Sequence, residues 1–185
     1  MLAPLMRRRA AALLTLLLLA AFATAIGGCG GPEAVESEGI EGEPVEVSEL
    51  EYNVQITRFL NPEDNEDAEY LAGEPPPPQG KLYLGVFLVV ENDTDEPISS
   101  ATDYTVTDTL ENEYELVESE SPYALEIGAD VPAHEQLPLP DTTPYAGFNK
   151  GSLLIFEVDD DVGENRPLRL EIRSIDGEGE VTLDI

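Results

Sequence analysis

The chain has 185 residues, of which 39 are acidic and nine are basic, so its net charge at pH 7 is −30. Such a charge repels nucleic acids and anionic lipids, and it argues against both as recognition partners. With one cysteine there can be no internal disulfide, so the fold must depend on its hydrophobic core.

The first 28 residues have the pattern of a secretory signal peptide. Three arginines at 7–9 precede the seventeen uncharged residues 10–26, and two glycines follow directly. The stretch Ile26-Gly27-Gly28-Cys29 resembles the lipobox of bacterial lipoproteins. This resemblance implies cleavage before Cys29 and acyl chains, such as palmitate, on that cysteine. Several chains would hold the protein firmly on the outer face of the cell membrane, because each buried methylene contributes about 0.8 kcal/mol.

Three other fates of this segment stay open. Its apolar run is short for a retained membrane anchor, which needs about 20 residues. Cleavage after Ala23-Thr24-Ala25 would fit a small-residue site and release the protein. The arginines could belong to a twin-arginine export signal, although the residues after them fit that pattern poorly.

The mature chain would have the size of one domain. Removal of residues 1–28 takes away three of the nine basic residues and none of the 39 acidic ones, which leaves a net charge of −33. This charge suits cations, basic partners or a salty medium that screens self-repulsion. We predict a lipidated cysteine and flexible acidic tether over 29–44, because 30–44 has five glutamates and no base. The folded domain is then 45–185.

From Val45 onward the chain has the two-residue period of half-buried strands. Tyr52, Val54 and Ile56 are expected to share one face. Segment 61–80 interrupts the pattern with an acidic stretch and the four prolines 75–78, which predict an extended surface segment.

Segment 81–91 is predicted as a central strand, because apolar residues occupy both of its faces. Leu82, Leu84, Val86, Leu88 and Val90 would face the core, and Tyr83, Phe87 and Val89 the other side. Later segments repeat the alternation at intervals of about ten residues. They include 104–106, 114–116, 123–127, 136–139, 154–158, 168–172 and 181–185. Seven to nine antiparallel strands of this kind predict an all-β sandwich.

The order of these motifs is similar to the immunoglobulin-like extracellular domains of the family called domain of unknown function 4352. The resemblance spans roughly residues 45–172 and implies an immunoglobulin-like β-sandwich outside the membrane, without catalytic residues. The chain departs from the family in the insertion 61–80 and at Glu111-Asn112, where a glycine is more common. The matching stretches are Val89-Val90-Glu91-Asn92, Pro97-Ile98, Tyr104-Thr105-Val106-Thr107-Asp108, Tyr114, and Gly151 before Leu154-Ile155-Phe156-Glu157-Val158.

Catalysis is not expected. His134 is the only histidine and lies between loop residues, so a copper or zinc site lacks ligands. A nucleophile would also lack its usual base. We predict that the protein is not an enzyme and needs no cofactor.

Calcium binding is the alternative function. This ion takes six to eight oxygen ligands, and acidic loops at one end of a sandwich could supply them. The favoured interpretation of these loops is nevertheless solvated turns. The three clusters are Glu63-Asp64-Glu66-Asp67, Asp93-Asp95-Glu96, and Asp159-Asp160-Asp161 with Glu164.

Tyr145 and Phe148 lie with Lys150 in a loop flanked by glycine and proline. They could form an aromatic binding tip, or they could pack under the sandwich, which is the favoured alternative. The sequence as a whole predicts a membrane-anchored lipoprotein with a non-catalytic domain that binds an unknown protein or envelope partner.

Overall fold

The computed structural model describes residues 36–185. The predicted signal peptide and Cys29 lie outside this part of the chain. The described residues form twelve β-strands, two short α-helices and one 3-10 helix. In order these are β1 (Glu36–Ile40), β2 (Pro44–Val47), β3 (Leu50–Leu60), α1 (Asn65–Tyr70), β4 (Lys81–Asn92), β5 (Ile98–Ser99), β6 (Asp103–Thr107), β7 (Glu113–Glu115), β8 (Asp130–Val131), β9 (Glu135–Leu137), α2 (Thr143–Ala146), β10 (Ser152–Asp159), the 3-10 helix Val162–Glu164, β11 (Leu168–Arg173) and β12 (Glu178–Leu183).

Two sheets enclose the main core. The first has the order β1-β12-β11-β6-β7, and the second has the order β10-β4-β3-β2, with β9 also paired to β4. A small ladder joins β5 and β8. The fold is the predicted all-β, immunoglobulin-like sandwich. It has more strands than predicted, because several are only two or three residues long and show no alternation.

The inner faces of both sheets carry the predicted apolar residues. Leu84, Val86 and Leu88 of β4 are fully buried and belong to one cluster with Leu170 and Ile172 of β11. Burial of one such side chain contributes about 1.5–3 kcal/mol. The two-residue alternation therefore predicted the core faces of β4 and β11 correctly.

Strand β3 changes face at Gln55. A register shift between Val54 and Ile56 adds one residue to β3 relative to β4. Tyr52 and Val54 consequently face the main core, whereas Ile56 packs against the outer side of the second sheet. The prediction that Ile56 shares their face is wrong, because a β-bulge breaks the two-residue period.

Segment 61–80 covers that outer side. The carboxylate of Asp64 caps α1 by accepting a hydrogen bond from the Glu66 amide at 2.9 Å. The ring of Tyr70, in α1, then packs edge-on against Phe87 and Tyr123, with centroid distances of 5.0 and 4.7 Å. The insertion therefore completes a second hydrophobic cluster, which explains why β4 is apolar on both faces.

The proline-rich part of the insertion contains no helix or strand, as predicted. The Tyr83 hydroxyl holds it against β4 by donating to the Pro75 carbonyl at 3.0 Å. At the other end of the insertion, the buried carboxylate of Asp67 accepts from the Asn61 amide at 2.8 Å and pairs with Arg58.

The prediction of a flexible tether over 29–44 is wrong for residues 36–40, which form β1 and pair in parallel with β12, while residues 29–35 lie outside the described part of the chain. The glycine of β1 allows a close approach, since a Cβ atom on Gly39 would come within 2.6 Å of Val45 Cγ2. Gly179 of β12 is equally close to Val47 Cγ2, at 2.6 Å. These glycines serve packing between β1, β12 and β2, whereas the sequence interpretation took Gly39 as a sign of flexibility.

The sandwich has two ends. At the Ser48 end, the β2–β3 turn meets the β11–β12 turn, and Ser48 Oγ lies 2.6 Å from Ser174 Oγ. At the Asp108 end, the β6–β7 turn meets the segment before β11, and the Thr109 amide donates to the Asn165 carbonyl at 3.0 Å. Strand β1 starts at the Ser48 end, because Glu36 is paired with Glu178, the first residue of β12.

Candidate functional site

A cavity of about 330 Å³ lies at the Ser48 end, where β9 pairs with the last residues of β4. We call it the β4–β9 cavity. The register places Glu91 opposite Gln136, so these side chains come from adjacent strands. The lining residues are Glu91, Asp93, His134, Glu135, Gln136, Pro140 and Tyr145.

Asn92 holds the turn that lies beside this cavity. Its side chain is buried and donates to the carbonyls of Glu96 and Val131 at 2.9 and 2.8 Å. Its Oδ1 atom accepts from the Thr94 amide at 2.9 Å and from the Thr94 hydroxyl at 2.7 Å. The turn after β4 is thereby held in one conformation, which positions Asp93 beside the cavity.

His134 lines the same cavity. It adopts a φ of 57° in a turn closed by the Glu135 amide, which donates to the Pro132 carbonyl at 3.2 Å. Its Nε2 atom lies 3.0 Å from Asp95 Oδ1. The two side chains are 63% and 97% exposed, so solvent screens this pair and its contribution to stability is at most about 1 kcal/mol. His134 is thus an exposed loop residue, as predicted.

The lining charge is negative. Glu91, Asp93 and Glu135 contribute carboxylates, and the lining contains no lysine or arginine. Tyr145 adds an aromatic ring, with Lys150 Nζ 6.0 Å from the ring centroid. Carboxylates beside an aromatic face suit a positively charged organic group, because both attract cations. The volume is at the small end for a ligand site and fits one side chain or a small amine.

The loop 144–150 corrects one expectation. Pro144 is buried and anchors the loop, whereas Phe148 is 85% exposed and Tyr145 is 43% exposed. The favoured alternative, that both rings pack under the sandwich, is therefore wrong for Phe148. The structure brings Tyr145 to the cavity, while Phe148 does not line it.

The acidic clusters at 93–96 and 159–164 lie at opposite ends of the sandwich. Asp93 and Asp95 lie at the Ser48 end, whereas Asp159, Asp160, Asp161 and Glu164 lie at the Asp108 end, where Asp159 pairs with Lys81 at 2.6 Å. Within residues 36–185, no three His, Cys, Asp or Glu side chains are grouped to hold one metal ion. Calcium binding stays a prediction.

Sequence reasoning missed the role of Asp108, a completely buried carboxylate. It accepts from the amides of Leu110 and Asn112 at 2.8 and 3.0 Å and from Asn112 Nδ2 at 3.0 Å. It also accepts from the Tyr114 hydroxyl at 3.1 Å and from Asn165 Nδ2 at 3.3 Å. The only sequence signal was an aspartate four residues before an asparagine in a turn, which is common.

Burial and hydrogen bonding act in opposite directions on Asp108. Burial favours the neutral acid, but the bonds from Asn112, Leu110 and Tyr114 outweigh it and hold the pKa of Asp108 below its usual value. Burial and the neighbouring Asp108 carboxylate both raise the pKa of Tyr114. At neutral pH the Asp108 carboxylate is therefore a charged acceptor and the Tyr114 hydroxyl is a neutral donor. Their hydrogen bond ties the β6–β7 turn to β7.

Comparison with known proteins shows only distant likenesses. No protein-family model matches the chain, and no curated protein matches its sequence. The resemblance to domain of unknown function 4352 therefore stays a prediction. Within residues 36–185, no helix is sufficiently long and apolar to cross a membrane.

Three solved structures are similar in outline. An uncharacterized β-sandwich protein from Clostridium difficile 630 is 16% identical, with 83% of this chain and 98% of that chain covered and a TM-score of 0.46. The yjhA protein from Bacillus subtilis is 12% identical, with 80% and 99% covered and a TM-score of 0.47. A putative lipoprotein from Bacillus subtilis is 15% identical, with 78% of this chain and 38% of that chain covered and a TM-score of 0.47. Because these identities and TM-scores are low, the assignment of the fold rests on the strand arrangement of this protein itself.

Proposed function

We propose that the mature protein is a lipoprotein anchored through Cys29 to the outer face of the cell membrane, with a non-catalytic binding domain. The supporting observation is the stretch Ile26-Gly27-Gly28-Cys29 at the end of an uncharged run, followed by a folded domain that has begun by Glu36. A net charge of −33 after processing keeps this domain soluble beside the lipid.

We further propose that the β4–β9 cavity is the binding site and that it takes a cationic group, such as a lysine or arginine side chain of a protein or envelope partner. Glu91, Asp93 and Glu135 would supply the charge, and Tyr145 the aromatic contact. The cavity is small, so it would select one group of a larger partner. Such contacts steer association and weaken as salt screens them over about 8–10 Å.

The anchor is tested with the variant Cys29→Ala. In the native host, the unaltered protein should fractionate with membranes and carry acyl chains on Cys29 by mass spectrometry of its N-terminal peptide. The variant should retain its signal segment or appear in the soluble fraction. An unaltered protein that begins at Ile26, or that has a free thiol and is found in the medium, would refute the anchor.

The cavity is tested by NMR titration of residues 30–185, produced without the signal segment and Cys29, with arginine amide. Shifts should map to the lining of the cavity, should weaken in high salt, and should be lost in the double variant Glu91→Gln/Glu135→Gln. The matched control is Glu111→Gln/Glu113→Gln, which removes two exposed charges at the opposite end. If the NMR shifts were lost equally in both double variants, the binding would depend only on net charge, and the proposed site would be rejected.

A further inference from the structure

We propose that the Ser48 end of the domain faces the membrane and that the Asp108 end points away from it. This orientation rests on the proposed anchor at Cys29 and deepens it, because it names the protein surface that meets the lipid. The partner is the membrane that holds the anchor of the same molecule, and the β4–β9 cavity, which lies at the same end, would take its cationic group from an envelope component close to the lipid.

The direction of β1 carries the inference. β1 runs parallel to β12, with five consecutive pairs from Glu36–Glu178 to Ile40–Thr182. Since β12 follows the β11–β12 turn at 174–177, the described chain enters the sandwich at that turn, which belongs to the Ser48 end. The parallel register decides the end at which the chain enters the sandwich, because an antiparallel β1 would enter at the other end.

Chain length then limits where the anchor can lie. Seven peptide units separate Cys29 from Glu36, and they span at most about 25 Å whatever path they take. Strand β12 leads away from the Ser48 end for six residues, or about 17 Å, before the turns of the Asp108 end are reached. For those turns to meet the lipid, the seven units would have to run back past the whole of β12, which takes up about two-thirds of their full reach. The Ser48 end needs no such detour.

Each end has an exposed aliphatic residue in one of its turns. Ile175, in the β11–β12 turn, is 97% exposed, and Leu110, in the β6–β7 turn, is 66% exposed. Ile175 would enter the headgroup region. Asp176 in the same turn, Glu49 in the β2–β3 turn and Asp93 after β4 are exposed, so the contact should be shallow and should favour a zwitterionic over an anionic surface.

Ile175 and Leu110 are therefore a matched pair of reporter positions. Acylation of Cys29 leaves no other thiol in the mature chain, so Ile175→Cys or Leu110→Cys introduces a single labelling site. Each full-length lipidated variant is labelled with a fluorophore, reconstituted into phosphatidylcholine vesicles and exposed to phospholipid with a nitroxide on its headgroup. Urea unfolding of each variant checks that the fold is kept.

The probe at 175 should lose fluorescence, whereas the probe at 110 should not. A flexible insertion of twelve residues before Glu36 should reduce the loss at 175. Equal quenching at both positions, or stronger quenching at 110, would overturn the orientation while leaving the anchor intact. Failure of either variant to co-sediment with vesicles would instead refute the anchor, so the two proposals fail in different ways.

Discussion

The carboxylate of Asp108 offers the sharpest test of the fold, because one buried group serves five donors. Replacement by alanine would leave the amides of Leu110 and Asn112, the side chains of Asn112 and Asn165, and the Tyr114 hydroxyl without this acceptor. A buried donor without a partner costs about 1–3 kcal/mol. Water can reach some of the five in a surface turn, so we expect a total loss of about 3–4 kcal/mol in the free energy of unfolding. For a domain of this size the melting temperature should fall by roughly 6–16 °C.

The variant Asp108→Asn separates charge from shape. Its amide oxygen can still accept from the backbone amides, but its nitrogen meets the amide groups of Asn112 and Asn165 as another donor. The expected loss is about 1–2 kcal/mol at pH 7. Because the pKa of Asp108 is lowered by folding, its stabilising effect is complete above the unfolded value of about 3.9 and is lost as the pH falls through the folded value. The difference between the unaltered protein and the variant should be constant from pH 7 to about 5 and should narrow below that.

Urea unfolding of residues 30–185, produced without the signal segment and Cys29 and followed by circular dichroism, measures these differences. The control is Asp160→Asn, which removes an exposed carboxylate at the same end and should change stability by less than about 0.5 kcal/mol. A loss below about 1 kcal/mol for Asp108→Ala would refute the role assigned to the network. A difference between Asp108→Asn and the unaltered protein that stays constant to pH 3 would refute the assigned ionisation.

Three further predictions concern packing and charge. Gly179→Ala should cost about 1–3 kcal/mol, because its Cβ atom would come within 2.6 Å of Val47 Cγ2; Gly163→Ala, with no atom within 4 Å, is the control, and equal urea midpoints would contradict the packing argument. Asn92→Ala should cost about 1–3 kcal/mol, because the Val131 carbonyl loses this donor in a buried contact, whereas the Glu96 carbonyl keeps the bond from the Thr94 hydroxyl; its NMR shifts should change around Asp93, and an undisturbed turn would show that other contacts hold it. Sodium chloride should raise the melting temperature by screening a charge of −33; a larger rise with CaCl₂ at equal ionic strength would favour the calcium alternative, and no rise with either salt would contradict self-repulsion.

The sequence predicted those parts of the fold that depend on local alternation. In β4 and β11, every second residue is apolar, and the predicted faces agree with the buried clusters. The face of Ile56 was not predictable in this way, because nothing in the residues around Gln55 marks the bulge. The pairing of β1 was also missed, because an acidic, glycine-containing segment looks flexible in the sequence. The packing roles of Gly39 and Gly179 become visible only when Val45 and Val47 of β2 lie beside them.

The candidate site was predictable only in pieces. Asp93 and Tyr145 were each singled out, but they are far apart in sequence, and both line the cavity only because the folded chain brings the turn after β4 and α2 to the same end of the sandwich. Segment 61–80 was predicted to cross the surface, whereas its function as a cover depends on Tyr70 reaching Phe87. The role of Asp108 required knowledge of Asn165, which approaches it from a distant segment.

The parallel ladder between β1 and β12 has a mechanical consequence for an anchored protein. A force that draws the sandwich away from the anchor would act along β1, in the direction of the strand. The evenly spaced hydrogen bonds of the five residue pairs would then bear the force together and would have to shear at once. A terminal strand peeled from its edge would instead lose its bonds one after another. The first strand is therefore arranged to resist traction from the cell surface before the rest of the sandwich is disturbed.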